Sequence, residues 1–353
     1  MNILITGVGG PTPRSIARSL SRHSCYRHAN LFGTDSNPRA HGLYESELYS
    51  KTFLVPRAED PEYWSRINQI ISDNSIDVAL VQPEHEVLEW ARHIEAGNQL
   101  NCNVLLPPLR LAEALIDKAT MTSLLDSTEL TPDSIVFRPG QTKFSSLTSM
   151  LGCPFWIRST TGSSGLGSLK VSCEAELLNW VAINPRVKSF IASRYLPGRN
   201  LACKLLYWRG NLTRAACGER VSYIMSKVAP SGITGNTSFG RLLNEPALIE
   251  RAKVAMNTLF DVTCTIPHGF YTVDFKEDVH GKPLITEVNV RMVAFNLCFA
   301  MAGANFSEDI VRLLSSDDSF DQTCKTYNFP DGLVFLRDVD AEPILMNERD
   351  LLS

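Results

Sequence analysis

The stretch Tyr271-Thr-Val-Asp274-Phe-Lys-Glu-Asp278-Val-His-Gly281-Lys-Pro-Leu-Ile285-Thr-Glu287-Val-Asn289-Val-Arg291 decides the reading of this chain. Polar and apolar residues alternate on both sides of a turn at 278–281, which predicts strands over 270–276 and 284–290 closed into a hairpin. Glu287, Asn289 and Arg291 then project from one face, and the turn can bring Asp274 beside Glu287 on that face. Two carboxylates and an amide oxygen are hard oxygen ligands, suited to Mg²⁺ bridging nucleotide phosphates. Arg291 can oppose the charge of a transferring phosphoryl group. Taken alone, a half-exposed strand pair with a polar outer face gives the same pattern.

The sequence upstream supplies what that face lacks. A strand over 153–157 and another over 169–171 flank the Gly- and Ser-rich stretch 160–168, predicting a hairpin whose tip carries Gly162, Ser163, Ser164, Gly165 and Gly167. Glycines let backbone N–H groups approach phosphate oxygens. This is not a Walker loop, since G-K-[ST] is absent. Lys118, in a helical stretch over 111–125, and Arg158, at the end of a strand, add two cations. A helix follows over 174–181, then a strand over 189–196 that breaks at Pro197-Gly198. Segments 201–208 and 212–217 form an antiparallel pair, 226–240 is a long Gly/Ser/Thr-rich lid loop, and 246–260 and 297–314 are helical. A last strand pair lies within 331–346.

The first hundred residues have a different grammar. Ile3-Leu4-Ile5 runs into Gly7, Gly9 and Gly10 and then a helix with Ile16, Ala17 and Leu20, and apolar runs at 31–33 and 77–81 alternate with helical periodicity around Trp64, Ile67 and Ile71. Such alternation implies a parallel, doubly wound sheet with 105–106 as its last strand. Gly9-Gly10-Pro11 breaks the G-x-G-x-x-G spacing of a dinucleotide fingerprint, which argues against NAD. Asp35, Glu84 and Glu86 fall at carboxyl ends of strands, where such sheets bind ligands, and are candidate substrate contacts.

A chain of 353 residues with 44% hydrophobic and 20% charged content exceeds one core and implies two or three domains. A net charge of −4 argues against nucleic acid as a partner. Nine cysteines without a C-x-x-C pair suit reduced thiols of a cytoplasmic protein. No apolar run reaches the ~18 residues of a membrane span, and the N-terminus lacks a signal-peptide pattern. A homodimer is the default oligomer.

The ordered set, Asp117-Lys118 helix, strand ending in a cation, Gly-rich loop, Tyr195-Leu196-Pro-Gly hinge and Asp…Glu-x-Asn-x-Arg hairpin, resembles the ATP-grasp superfamily over roughly 105–315, in particular its carbamoyl-phosphate-synthase-like branch of carboxylate–amine ligases. The resemblance implies α/β and α+β parts: an N-terminal Rossmann-like domain over 1–108, a lobe over 109–192 with the phosphate loop, and a lobe over 193–353 with the metal hairpin. It implies ATP with Mg²⁺, for which Mn²⁺ may substitute, and small-molecule carboxylate and amine substrates joined through an acyl phosphate. Lys118 and Arg158 would bind phosphates, Gly162, Ser163, Ser164, Gly165 and Gly167 would cover them, and Tyr195 and Leu196 would meet adenine. Asp274, Glu287 and Asn289 match the metal ligands, and Arg291, Arg220 and Lys227 are the cations for the acyl phosphate.

The hinge departs from the family pattern E-[YF]-[IL]-x-G-x-E. Arg194 and Asn200 stand at its two acidic positions, so the contacts to base and ribose must differ. Asn200 can still hydrogen-bond hydroxyls, and a guanine nucleotide remains open. Val290 replaces a frequent proline.

Overall fold

The computed structural model describes residues 1–162, 167–293, 295–339 and 343–350. Five strands, β1 (Asn2–Thr6), β2 (Asn30–Asp35), β3 (Lys51–Leu54), β4 (Val78–Leu80) and β5 (Asn103–Val104), form a parallel sheet in the order β3-β2-β1-β4-β5. The last strand is Asn103–Val104, so the apolar run at 105–106 lies just past it. Helices α1 (Pro11–His23), α2 (Tyr63–Asp73) and α3 (Glu84–Glu95) cross over between strands. The β1–α1 turn is tight. Gly7 has φ +68°, and a Cβ there would meet the Pro83 ring at 2.4 Å, so only glycine fits.

The helical periodicity over 111–125 is divided in two, α4 (Leu109–Ile116) and α5 (Lys118–Leu124). Asp117 breaks it by adopting an extended conformation and capping α5, its carboxylate accepting from the Thr120 N–H at 2.8 Å. A small antiparallel sheet follows, β6 (Ser134–Phe137), β7 (Phe155–Ser159), β8 (Leu169–Val171) and β9 (Phe190–Arg194), in the order β6-β9-β7-β8. Its helices are α6 (Phe144–Leu151) and α7 (Glu174–Ile183). Neither β6 nor α6 stands out in the sequence, because Val136 and Met150 are exposed where the periodicity asks for burial.

The third sheet is built from β10 (Asn200–Trp208), β11 (Asn211–Tyr223), β12 (Thr237–Leu243), β13 (Gly269–Glu277), β14 (Pro283–Asn289), β15 (Lys325–Thr326), β16 (Leu333–Leu336) and β17 (Ile344–Asn347). Its path is β14-β13-β10-β11-β12-β16-β17, with β15 parallel to the far part of β11. Thr237–Gly240, expected in the lid loop, belongs to β12, so the connection is shorter than the composition suggests. Helix α8 (Pro246–Thr263) covers one face. The helical run 297–314 divides at Gly303 into α9 (Asn296–Met301) and α10 (Phe306–Leu314).

Alternation along β10 assigns its two faces. Leu201, Cys203 and Leu205 join Tyr271, Val273 and the α8 residues Ala252, Met256 and Leu259 in a core that continues into Leu4 of the first sheet and into Ile67 and Trp90 of its helices α2 and α3. Ala202, Leu206 and Phe270 join Phe295, Phe299 and Phe306 in a second core that continues into Ile16 and Leu20 of α1. Hydrogen bonds cross the same seam: Leu297 N–H to Ser15 Oγ at 2.8 Å, and Asn305 Nδ2 to the carbonyls of Ser19 and His23 at 3.1 and 2.9 Å. The small sheet has a core of its own, around Leu147, Phe155, Ile157 and Phe190. All nine cysteines are free, Cys203 and Cys217 standing opposite each other across β10 and β11.

Candidate active site

Asp274 pairs in register with Glu287, and Thr272 with Asn289, so the predicted ligands share one face of β13 and β14. The register shifts beyond Asp274, where Phe275 pairs with Ile285 and Thr286 becomes the extra residue. This bulge frees the Thr286 carbonyl, and Arg158 Nη2 donates to it at 2.5 Å from the small sheet. On the next strands outward, Asn200 opposes Lys276 on one side and Arg220 on the other. Arg220 therefore reaches across, its Nη2 donating to Asp274 Oδ1 at 2.6 Å. Asn289 Nδ2 donates to the other oxygen at 3.1 Å.

Lys118 occupies the first position of α5, where the helix start points its side chain over the hairpin. Its Nζ lies 3.2 Å from Glu287 Oε1 and donates to the Gly162 carbonyl at 2.6 Å, tying α5, Gly162 and the β13–β14 hairpin together. Gly167 has φ +66° and a Cβ there would crowd the Ser159 amide at 3.1 Å. Ser163, Ser164 and Gly165 lie outside the described residues. These elements bound a cleft of about 630 Å³ between the two antiparallel sheets, lined also by Tyr195 and Leu196 of the hinge and by Ser226, Lys227 and Ser231 of the 224–236 connection.

Burial raises the Asp274 pKa to about 6, with Arg220 opposing and Glu287 adding to the rise. Burial pushes Glu287 upward too, but Lys118, Arg158 and Arg220 outweigh it and hold its carboxyl below the usual range. Arg158 is lowered by burial, which Glu287 and Asp274 offset in part. The Nε atoms of Arg158 and Arg220 are buried without a hydrogen-bond partner among the described residues. Two orphaned guanidinium donors in one cleft want an anion, because an unsatisfied charged donor costs more than the bond it would make.

Arg291 turns away from the cleft floor toward the N-terminal domain, where its Nη2 pairs with Glu84 Oε1 at 3.1 Å. Glu84 and Glu86, expected on a loop after a strand, sit in the first turn of α3. Glu86 is 6% exposed and points into its own domain, where burial raises its pKa to about 7 against the opposing influence of Thr6 and Tyr63. Lys227 is exposed and reaches the cleft from the lid side.

No protein-family model matches the sequence, and no curated protein matches it. Solved structures do match. N5-carboxyaminoimidazole synthetase from Staphylococcus aureus, complexed with ADP, superposes with a TM-score of 0.69 at 15% identity, covering 95% of this chain and 81% of that one. The biotin carboxylase domain of Hydrogenobacter thermophilus 2-oxoglutarate carboxylase, with MgADP, ADP and bicarbonate, gives 0.68 at 12% identity, over 95% and 74%. L-amino acid ligase from Bacillus licheniformis gives 0.64 at 16% identity, over 95% and 78%. The chain has the ATP-grasp fold.

Two lobes of the ATP-grasp fold thus meet over the cleft, preceded by an α/β domain. Among its residues, sequence reasoning overlooked Lys276 and Lys204. Lys276 lies two positions beyond Asp274 on the same strand face and lines the cleft, so the alternation that found Glu287 and Asn289 also marked it. Lys204 is fully buried in β10, its Nζ bonded to Asn296 Oδ1 and lying 4.7 Å and 5.0 Å from the Phe295 and Phe299 ring centres. Burial, then Arg220, holds its pKa well below a lysine's ordinary value. The lone lysine of an apolar strand was its signal.

Proposed function

We propose that the chain is an ATP- and Mg²⁺-dependent carboxylate–amine ligase, acting in the cytoplasm on a small-molecule acid. The observation that carries this reading is the in-register pair Asp274–Glu287 facing Lys118, Arg158 and Arg220 across one cleft. Asp274, Glu287 and Asn289 would hold Mg²⁺, with Mn²⁺ as a substitute, and the ion would neutralise phosphate charge there. The donor set fits such an ion once Asn289 presents Oδ1 rather than Nδ2.

In the proposed reaction a carboxylate oxygen of the acid attacks the γ-phosphorus of ATP and ADP leaves. The amine nitrogen then attacks the acyl carbon, expelling phosphate and leaving an amide. Lys118 and Arg158 orient the phosphates, while Arg220, Lys227 and Arg291 carry charge appearing on the acyl phosphate. Glu84, beside Arg291, would border the acid or amine, with Glu86 buried behind it and out of reach. Residues 224–236 would exclude water from the intermediate.

Screening amino acids and related carboxylates against amines for ADP release tests this reading. ADP and phosphate are expected only with both partners present, and Glu287→Gln should abolish them; ADP release indifferent to that substitution would sink the metal assignment. A second reading, carboxyphosphate formation from bicarbonate, draws on the likeness to the biotin carboxylase domain whose structure holds bicarbonate. Bicarbonate-dependent ADP release without an acid would favour it.

A further inference from the structure

The cleft has two chemically distinct ends. Lys118, Arg158, Asp274 and Glu287 mark the phosphate end. Lys276 marks the other, two residues farther along the same face of β13, about 7 Å beyond Asp274 at the rise of an extended strand. It stands opposite Asn200, the last position of the hinge pattern and the first residue of β10, and the hinge residues Arg194 and Tyr195 line the same end. On the nucleotide placement of the preceding reading, that is where the base and ribose lie.

Lys276 is half-buried and makes no hydrogen bond or ion pair with any described residue. Its chain neighbour Glu277 faces the other way and is engaged by Arg199 at 2.7 Å. Asp274 and Glu287, the carboxylates that line the cleft, are committed to Arg220 and Lys118. Among the described residues that line it, the nucleoside end offers an amine, a guanidinium that lies 3.7 Å from Asp133 outside the lining, and an amide, and no carboxylate. Burial lowers the Lys276 pKa, with Glu277 and Glu219 opposing; either protonation state still donates N–H.

Purines differ at the position such a donor would read. Adenine presents an amine donor there, whereas guanine and hypoxanthine present an oxygen acceptor. A buried donor facing an amine leaves both unsatisfied; facing an oxygen, it satisfies both. We propose that Lys276 is a specificity-determining residue that donates to the exocyclic oxygen of a 6-oxopurine, so that the cleft takes guanine and hypoxanthine nucleotides at least as readily as adenine nucleotides. A contact to a ribose hydroxyl instead would be blind to the base, which makes the two separable.

Calorimetric titration of the full chain with Mg·ADP, Mg·GDP and Mg·IDP tests this, in wild type, Lys276→Leu, Lys276→Met and the donor-retaining Lys276→Arg. Wild type should bind IDP and GDP no more weakly than ADP. Lys276→Leu or Lys276→Met should shift the IDP-to-ADP affinity ratio toward ADP by at least about tenfold, while Lys276→Arg holds it within about threefold. A ratio unmoved in both apolar variants, with binding intact, overturns the assignment, as does a wild-type preference for ADP of about tenfold or more. Wild type that binds none of the three overturns the nucleotide reading itself. Circular dichroism and thermal melts identify any variant that has lost its fold, and the two apolar variants stand in for one another.

Discussion

Arg291 Nη2 and Glu84 Oε1 lie 3.1 Å apart although 207 positions separate them in sequence. The pair joins the end of the β13–β14 hairpin to the first turn of α3, with both side chains largely covered, at 18% and 22% exposure. A double-mutant cycle with Glu84→Gln and Arg291→Gln, read by urea unfolding, is expected to return a coupling of about 1 kcal/mol. In turnover, Arg291→Ala should lower the kcat of ADP release by about 10²–10³-fold and change the ADP Kd by less than about threefold. A large loss of nucleotide affinity would place Arg291 at the phosphates instead.

Metal-dependent binding should follow Asp274. Its pKa of about 6 is raised by burial, so a proton competes with a cation for that carboxylate at mildly acid pH. Affinity for Mg·ADP is expected to be flat above pH 7 and to fall by roughly tenfold per unit once pH drops below 6. Asp274→Asn should remove the slope along with most of the affinity. Calorimetry between pH 5 and 8 distinguishes this from a pH-independent site.

Glu86 gives a stability prediction of opposite usefulness. Its folded pKa of about 7 exceeds the ordinary carboxyl value, so the fold favours the protonated form. The contribution is fully present below about pH 4.5 and is lost as pH rises through 7. Glu86→Gln keeps the neutral shape without that loss. At pH 8.5 it should melt higher than wild type, by as much as about 3 kcal/mol of unfolding free energy, with the difference vanishing near pH 5. Equal pH profiles for the two proteins would refute the burial argument.

Gly240 sits where β11, β12 and β16 converge. A Cβ there would stand 2.4 Å from both the Glu219 carbonyl and the Phe335 ring. Gly240→Ala is therefore expected to cost about 1–3 kcal/mol, measured as a lowered urea midpoint with an unchanged m-value. Gly210→Ala, at a hairpin tip with open space around it, tests φ strain alone, since its φ is +95°.

The parallel sheet of the N-terminal domain and the shared polar face of the β13–β14 hairpin were legible because both rest on alternation and on turn residues, which a single sequence carries. Lys118, Arg158, Asp274 and Glu287 line one cleft; alternation placed the two carboxylates together, and the resemblance added the two cations. Two kinds of feature were not legible. The bulge at Thr286 depends on how β14 bends against β13, and it gives Arg158 a partner 128 positions away. The orientation of Arg291 toward Glu84 depends on how two sheets dock, which no local periodicity encodes. Helix breaks at Asp117 and Gly303 were hidden for a different reason: apolar spacing continues through them while the backbone does not.

The division of the hydrophobic cores carries a mechanical consequence. The parallel sheet and the large antiparallel sheet share their buried apolar residues, whereas the lobe bearing Arg158 and the glycine loop is filled by a separate group. Rotating that lobe about Pro197-Gly198 breaks few apolar contacts. On the proposed reading, the β13–β14 face, Arg291 and Glu84 would form a stationary anvil and the lobe bearing Arg158 a small hinged jaw that times nucleotide exchange.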